Sequence, residues 1–234
     1  CYLAGAPLSP RGIMLHSVGT PQPSAAVFAR SFNQYQPGGV SVCVHAFAQA
    51  DGTVYQTLPW EMRGWHCGGS ANSTHIGVEM TEPSAGMTRS EAAEQIAGTY
   101  RTVVELFAEL CKQYELDPAQ DGVIIGHAEG HRRGVASNHA DPELLWRTYD
   151  MGYTMDGFRR DVAEAMKNGA REEALDMPRY DSVAEMPQWA RADAQRLIDR
   201  GALLGNTDGK LDVSEDMLRT MIVCQRMVDE QKET

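Results

Sequence analysis

The residues of this chain best suited to chemistry are histidines and carboxylates that follow apolar runs. His16 closes the run Gly12-Ile-Met-Leu-His-Ser17, and His127 follows Ile124-Ile125-Gly126 in the same manner. His139 and Asp141 come soon after, in Ser137-Asn-His-Ala-Asp-Pro142. Strand ends and the loops beyond them often carry functional side chains. Two imidazoles and a carboxylate are the ligand set of many hydrolytic zinc sites, which keep a fourth position open for water. Each residue also has a plainer reading. A strand-end histidine serves equally as a hydrogen-bonded core residue. Asp141, standing before Pro142-Glu143, suits a helix N-cap. His75 and His131 read as surface residues. No short metal motif such as HExxH is present.

The elements that must position these groups can be read from hydropathy and turn signals. Strands are expected over 12–17, 40–48, 53–58 (after the Asp51-Gly52 turn), 75–81 and 123–125. A helix over 24–36 ends at Pro37-Gly38-Gly39. A long helix opens on the capping box Thr88-x-x-Glu91 and keeps apolar residues at helical spacing to Tyr114. Further helices are expected from Pro142 and over 155–168. Strands and helices alternate without a strict βαβ pattern, which predicts an α/β fold with a mixed central sheet flanked by helices.

Residues 169–180 read as a linker whose first part is able to extend the preceding helix. Beyond it, 181–234 carries two amphipathic helices, so a small all-α module is expected. The first covers 187–200, with Gly201 at its C-cap. The second starts after Ser214 and carries Met217, Leu218, Met221, Ile222 and Val228. Two such helices bury too little area to stand alone securely, so this module is expected to dock, self-associate or both.

Composition narrows the function classes. The 234 residues hold 21 Lys+Arg against 32 Asp+Glu, a net charge of −11. That balance argues against a general nucleic-acid binder and against a polybasic membrane anchor. No apolar run is long enough for a transmembrane helix. The five cysteines form no CxxC pair, so neither a disulfide framework nor a cysteine zinc ribbon is indicated. Cys43, Cys67 and Cys111 read as small buried residues. A nucleophilic Cys67 beside His66 is the contrasting catalytic reading. The chain begins at Cys1 without a basic-then-apolar leader, so any export signal would lie outside it.

Five separated segments then occur in the order of a known family: Gly12-Ile-Met-Leu-His-Ser17, His45…Asp51-Gly-Thr-Val54, Trp65-His-Cys-Gly68, Asn72…Ile76-Gly-Val-Glu79, and Gly126-His127…His139-Ala-Asp-Pro142. Over about 8–150 the chain resembles the zinc-dependent N-acetylmuramoyl-L-alanine amidases, a group that also includes peptidoglycan recognition proteins and phage endolysins. The resemblance implies one zinc ion per chain held by His16, His127 and Asp141. It implies Glu79 as general base; relatives that use a tyrosine on an earlier strand have it where Val44 stands here. His45, Trp65, His66 and Asn72 fall at substrate-binding positions. His139 occupies a position where many relatives carry Lys or Thr that stabilises the transition state. It is also the alternative third ligand to Asp141.

The implied activity is hydrolysis of the amide between N-acetylmuramic acid and L-alanine in peptidoglycan, by a phage or prophage endolysin or a bacterial autolysin. The contrasting expectation is a non-catalytic peptidoglycan-binding protein on the same fold. Residues 181–228 resemble one copy of a surface-layer-homology-like motif, through Trp189-Ala190, Leu197-Ile198, Gly201, Leu204-Gly205 and Asp208-Gly209. That implies a secondary cell-wall polymer as a second partner, and a homo-oligomer that supplies the missing copies. The domains expected are thus a zinc amidase over 1–168, a linker over 169–180 and a wall-binding or oligomerisation module over 181–234. The implied location is the cell wall or extracellular space, or the host cytoplasm before phage-mediated release. Calcium is not expected in the Asn206–Gly209 loop, because Leu204 stands where a first ligand is needed.

Overall fold

The computed structural model describes residues 5–31, 42–176, 179–206, 208–214, 217–218 and 221–222. The chain divides into two compact units, 1–168 and 169–234.

The first unit is built on a five-stranded sheet. Its strands are β1 (Gly12–Ser17), β2 (Ala46–Ala48), β3 (Val54–Gln56), β4 (His75–Met80) and β5 (Ile124–Gly126), in the order β3-β2-β4-β1-β5. β3 runs antiparallel to β2, and the other neighbours pair in parallel, so the sheet is mixed. Helices α1 (Ala25–Ser31), α2 (Arg89–Gln113), α3 (His127–Arg132), α4 (Glu143–Thr148) and α5 (Met155–Asp176) complete the order. The expected helix over 24–36 and strand over 40–48 are described only in part; 32–41 lie outside the described residues.

Side-chain alternation along the strands explains why the sheet has one structural face and one chemical face. Successive residues of a strand point to opposite sides. Ile13 and Leu15 of β1, and Ile76, Val78 and Met80 of β4, join Ile96, Val103 and Phe107 of α2 and Phe158 of α5 in the main core. Met14 of β1 and Ile125 of β5 belong instead to a second cluster with Cys67 and Ala71. His16 and Glu79 share the phase of that second face. They are also Cα partners in the parallel register of β1 and β4. One apolar core thus fixes two polar groups on neighbouring strands.

The helices that flank the site are set by local signals. Thr88 caps α2 with a capping box, in which its side chain accepts from Glu91 N–H and the Glu91 carboxylate accepts from Thr88 N–H. α3 follows β5 without a loop. The Glu129 carboxylate accepts from Gly126 N–H, and Arg159 of α5 pairs with that same carboxylate and donates to the Ile124 carbonyl. The expected Asp141 cap is corrected: α4 starts after Pro142 with no side-chain cap, because the Asp141 carboxylate is engaged elsewhere.

α5 is longer than expected and reaches Asp176, so most of the expected 169–180 linker is helical. The second unit holds α6 (Gln188–Asp199), ended by Gly201 at φ +70°, where glycine has no Cβ to strain. It is not purely helical. β6 (Arg179–Tyr180) pairs antiparallel with β7 (Val213–Ser214), strands too short to leave a sequence period. Its core contains Met186, Ala190, Ala194, Leu197, Leu203, Val213, Leu218 and Ile222. Residues 217–218 and 221–222 of the expected last helix are helical, and Val228 lies outside the described residues.

Candidate active site

A cleft of about 820 Å³ opens on the chemical face of the sheet. His16 and Glu79 project into it from the sheet and His127 from the start of α3, with His139 and Asp141 from the loop that follows. His16, His127 and Asp141 each bring one donor atom to a point, all within 4.8 Å of one another. The His16 and His127 Nδ1 atoms are 3.0 Å apart, and Asp141 lies 3.2 Å from the first and 3.4 Å from the second. These three come from chain positions up to 125 residues apart. His139 does not share the convergence. Its exposed ring stacks on His127, with centroids 4.6 Å apart and 25° between planes.

Electrostatics divide these groups by role. Burial pushes the His16 and His66 imidazoles down, toward the neutral form a ligand or acceptor needs. Burial alone would raise the Asp141 carboxyl, but the His127 and His16 nitrogens beside it hold it below the usual carboxylate range. Glu79 goes the other way. Burial first, then the Asp141 and Glu82 charges, push its carboxyl well above the usual range. Its Oε2 is buried with no hydrogen-bond partner among the described residues. Glu82 is better served: its Oε1 accepts from the Ser17 hydroxyl at 2.8 Å and Gly19 N–H at 2.9 Å.

The expected substrate-binding residues separate into two kinds. Trp65 and His66 line the cleft. His45 and Asn72 do not. His45 is fully buried, with Nε2 on the Met62 carbonyl at 2.8 Å and Nδ1 accepting from Gly77 N–H at 2.9 Å. The Asn72 Oδ1 accepts from the backbone N–H of His66 at 2.8 Å and of Cys67 at 3.1 Å. Both residues hold backbone in place. His75 is also corrected from surface to half-buried, bonded through Nε2 to the Gly122 carbonyl at 3.0 Å. His131 is exposed as expected.

Among the described residues, neither free cysteine is activated. Burial raises the Cys67 thiol, and its sulfur contacts Asn72 Oδ1 at 3.2 Å rather than an imidazole. A thiol in that setting is a poor nucleophile. Cys111 is likewise free and buried, and pushed up to about 12 by burial. Cys43 is disulfide-bonded, where no disulfide was expected. Ser137, which the sequence did not single out, stands 3.3 Å from His127 Nε2 and donates its hydroxyl to the Cys67 carbonyl at 3.0 Å.

A three-donor cluster open to a cleft, beside a buried carboxylate with a free oxygen, is the equipment of a hydrolase. The particular class follows from comparison. The pattern of the N-acetylmuramoyl-L-alanine amidase family (Amidase_2) matches residues 6–144, and the chain belongs to that family of peptidoglycan hydrolases. No curated protein matches the chain. Among solved structures, the Staphylococcus aureus hydrolase AmiA in complex with its ligand is similar at 22% identity and TM-score 0.53, over 68% of this chain and 75% of that one. A mutant structure of PlyL is similar at 17% identity and TM-score 0.51, over 68% of this chain and 88% of that one. The solution structure of the PlyG catalytic domain gives 17% identity and TM-score 0.50, over 69% and 86%. These likenesses establish the fold.

Proposed function

We propose that the first unit is a zinc-dependent amidase that cuts the bond between N-acetylmuramic acid and L-alanine. The observation that carries this reading is the convergence of His16 Nδ1, His127 Nδ1 and the Asp141 carboxylate within 4.8 Å in the cleft that also holds Glu79. The donor set fits zinc, since two imidazoles and one carboxylate leave a coordination position open. Asp141 rather than His139 is the third ligand in this reading. Bound zinc supplies Lewis-acid polarisation of the scissile carbonyl and of the attacking water.

The chain's own residues do the rest. Glu79 takes a proton from the attacking water at its unpartnered Oε2 and returns it to the departing alanine nitrogen. His139, exposed at the cleft edge, donates a hydrogen bond to the oxyanion. Trp65 offers an apolar wall to the sugar or stem peptide, with the Arg63 guanidinium 4.4 Å above its ring.

The second unit we read as a wall-association module for a secondary cell-wall polymer, or as a contact that assembles copies of the chain. Exposed Trp189, Leu204 and Met217 support that reading. An endolysin role fits the catalytic unit, and an autolysin is the second reading. Both place the site of action at the cell wall.

Digestion of purified peptidoglycan followed by mass spectrometry tests the reaction. New N-terminal L-alanine is expected, and new reducing ends would mean a glycosidase. Chelation is expected to stop release and zinc to restore it. Glu79→Gln is expected to retain zinc and to lose about 10²- to 10⁴-fold in rate. Retention of near-normal turnover would remove Glu79 as the base. Binding to peptidoglycan without any release would favour the non-catalytic alternative.

A further inference from the structure

The two metal-ready histidines do not choose their own orientation; their outer nitrogens are held by partners whose protons are already committed. The His66 Nε2 faces the His75 carbonyl at 3.2 Å. A carbonyl only accepts, so Nε2 of His66 carries its proton and donates. In the neutral ring Nδ1 is then bare. That bare Nδ1 lies 2.9 Å from His16 Nε2, which must therefore be the donor of this bond. His16 is left with its lone pair on Nδ1, the atom that faces His127 and Asp141.

Ser137 plays the matching part for His127. The Ser137 hydroxyl donates to the Cys67 carbonyl at 3.0 Å, which spends its one proton. Its oxygen faces His127 Nε2 at 3.3 Å as an acceptor. His127 therefore holds its proton on Nε2 and presents Nδ1 to the cleft. Two lone pairs and a carboxylate then meet at hydrogen-bond distance with no proton assigned among them, an arrangement that calls for a cation.

We propose that His66 and Ser137 are positioning residues that set the tautomer and ring direction of His16 and His127. The dipeptide His66-Cys67 organises both, through the ring of the first and the carbonyl of the second. Asn72 anchors both residues by their backbone N–H groups. Gly77 leaves room for the arrangement, since a Cβ there would come within 2.5 Å of His66 Cγ. Outer partners of this kind fix ligand geometry and commonly govern metal affinity by about 10- to 100-fold. The benefit to a metal rests on the zinc reading above; the tautomers themselves do not.

The test is long-range ¹H–¹⁵N imidazole spectroscopy on the full metal-free chain at alkaline pH, where the rings are neutral. Nε2–H is expected for both His16 and His127, and an Nδ1–H tautomer for either would overturn the proposal for that residue. His66→Phe keeps the ring volume but removes the acceptor. It is expected to spread His16 over both tautomers and to weaken zinc binding, read by competition with a chelator, about 10- to 100-fold. Ser137→Ala is expected to do the same for His127, while Ser137→Thr keeps the hydroxyl and restores both readouts. Unchanged tautomers and unchanged affinity in His66→Phe and Ser137→Ala would overturn the positioning role. The wild-type spectrum decides the tautomers even if a variant fails to fold. Correct tautomers without zinc-restored cleavage would sink the zinc reading alone. Zinc-restored cleavage with the proton on His16 Nδ1 would sink this proposal alone.

Discussion

At the scale of single residues, the cleft is a place where neighbours pull titratable groups apart. Asp141 and Glu79 are both carboxylates on one cleft, yet one is held below the usual range when the imidazoles beside it are protonated and the other is pushed toward its neutral form by burial. This has a consequence for stability. The folded-state affinity of Glu79 for its proton exceeds that of the unfolded chain. Its contribution is therefore fully favourable below the ordinary carboxylate range and is lost as pH rises through its raised value. Metal-free wild-type protein is expected to lose stability across that window relative to Glu79→Gln, whose amide never ionises. Urea midpoints of the two proteins at several pH values check this; parallel profiles would mean Glu79 is not buried as a charge. His16, His127 and Asp141 were legible from strand-end position and from resemblance. The competing N-cap reading of Asp141 failed because its real partners lie up to 125 residues away, and no local spacing encodes them. His45 and Asn72 were legible as family positions, but a position does not tell which way a side chain points.

At the scale of elements, the parts with strong periodicity or a capping signal were readable and the short ones were not. β1, β4 and α2 follow from apolar runs and from the Thr88 capping box. β6 and β7 are two-residue strands, and α3 is a six-residue helix that follows β5 with no turn signal between them. Thr88→Ala is expected to cost about 1 kcal/mol by denaturant unfolding, because one N-terminal N–H of α2 loses its acceptor. Thr88→Ser is expected to retain most of that stability. β4 makes a stricter demand. Gly77 stands between Ile76 and Val78 of the core, where a larger apolar residue would ordinarily favour a strand. Its reason is the His66 ring, which would collide with any Cβ. Gly77→Ala is therefore expected to lower stability by about 1–3 kcal/mol, the range for overpacking. It is also expected to displace His66 from His16, so metal affinity should fall further than in an equally destabilised core variant. Chelator competition on both proteins separates the two effects.

At the scale of the whole molecule, the histidine-bearing unit and the unit without histidines share one property, which is their charge sign. Residues 1–169 carry 12 basic and 18 acidic groups, and 170–234 carry 9 and 14. The donor cluster and Glu79 occupy the first unit, whose main core joins the sheet to α2 and α5. The second unit has a separate core of its own. Neither unit has the net charge to be drawn to an anionic wall, so long-range repulsion works against binding. Recognition of peptidoglycan must then come from contacts made at short range, in the cleft. Long-range repulsion is screened by salt, whereas short-range apolar contact is not. The Debye length contracts from about 30 Å at 0.01 M to about 8 Å at 0.15 M ionic strength. Co-sedimentation with purified anionic cell walls is therefore expected to increase severalfold over that interval, using Glu79→Gln so that the walls stay intact. A decrease with added salt would mean that a local basic surface, such as that around Arg132 and Arg133, overrides the net charge and leads the approach.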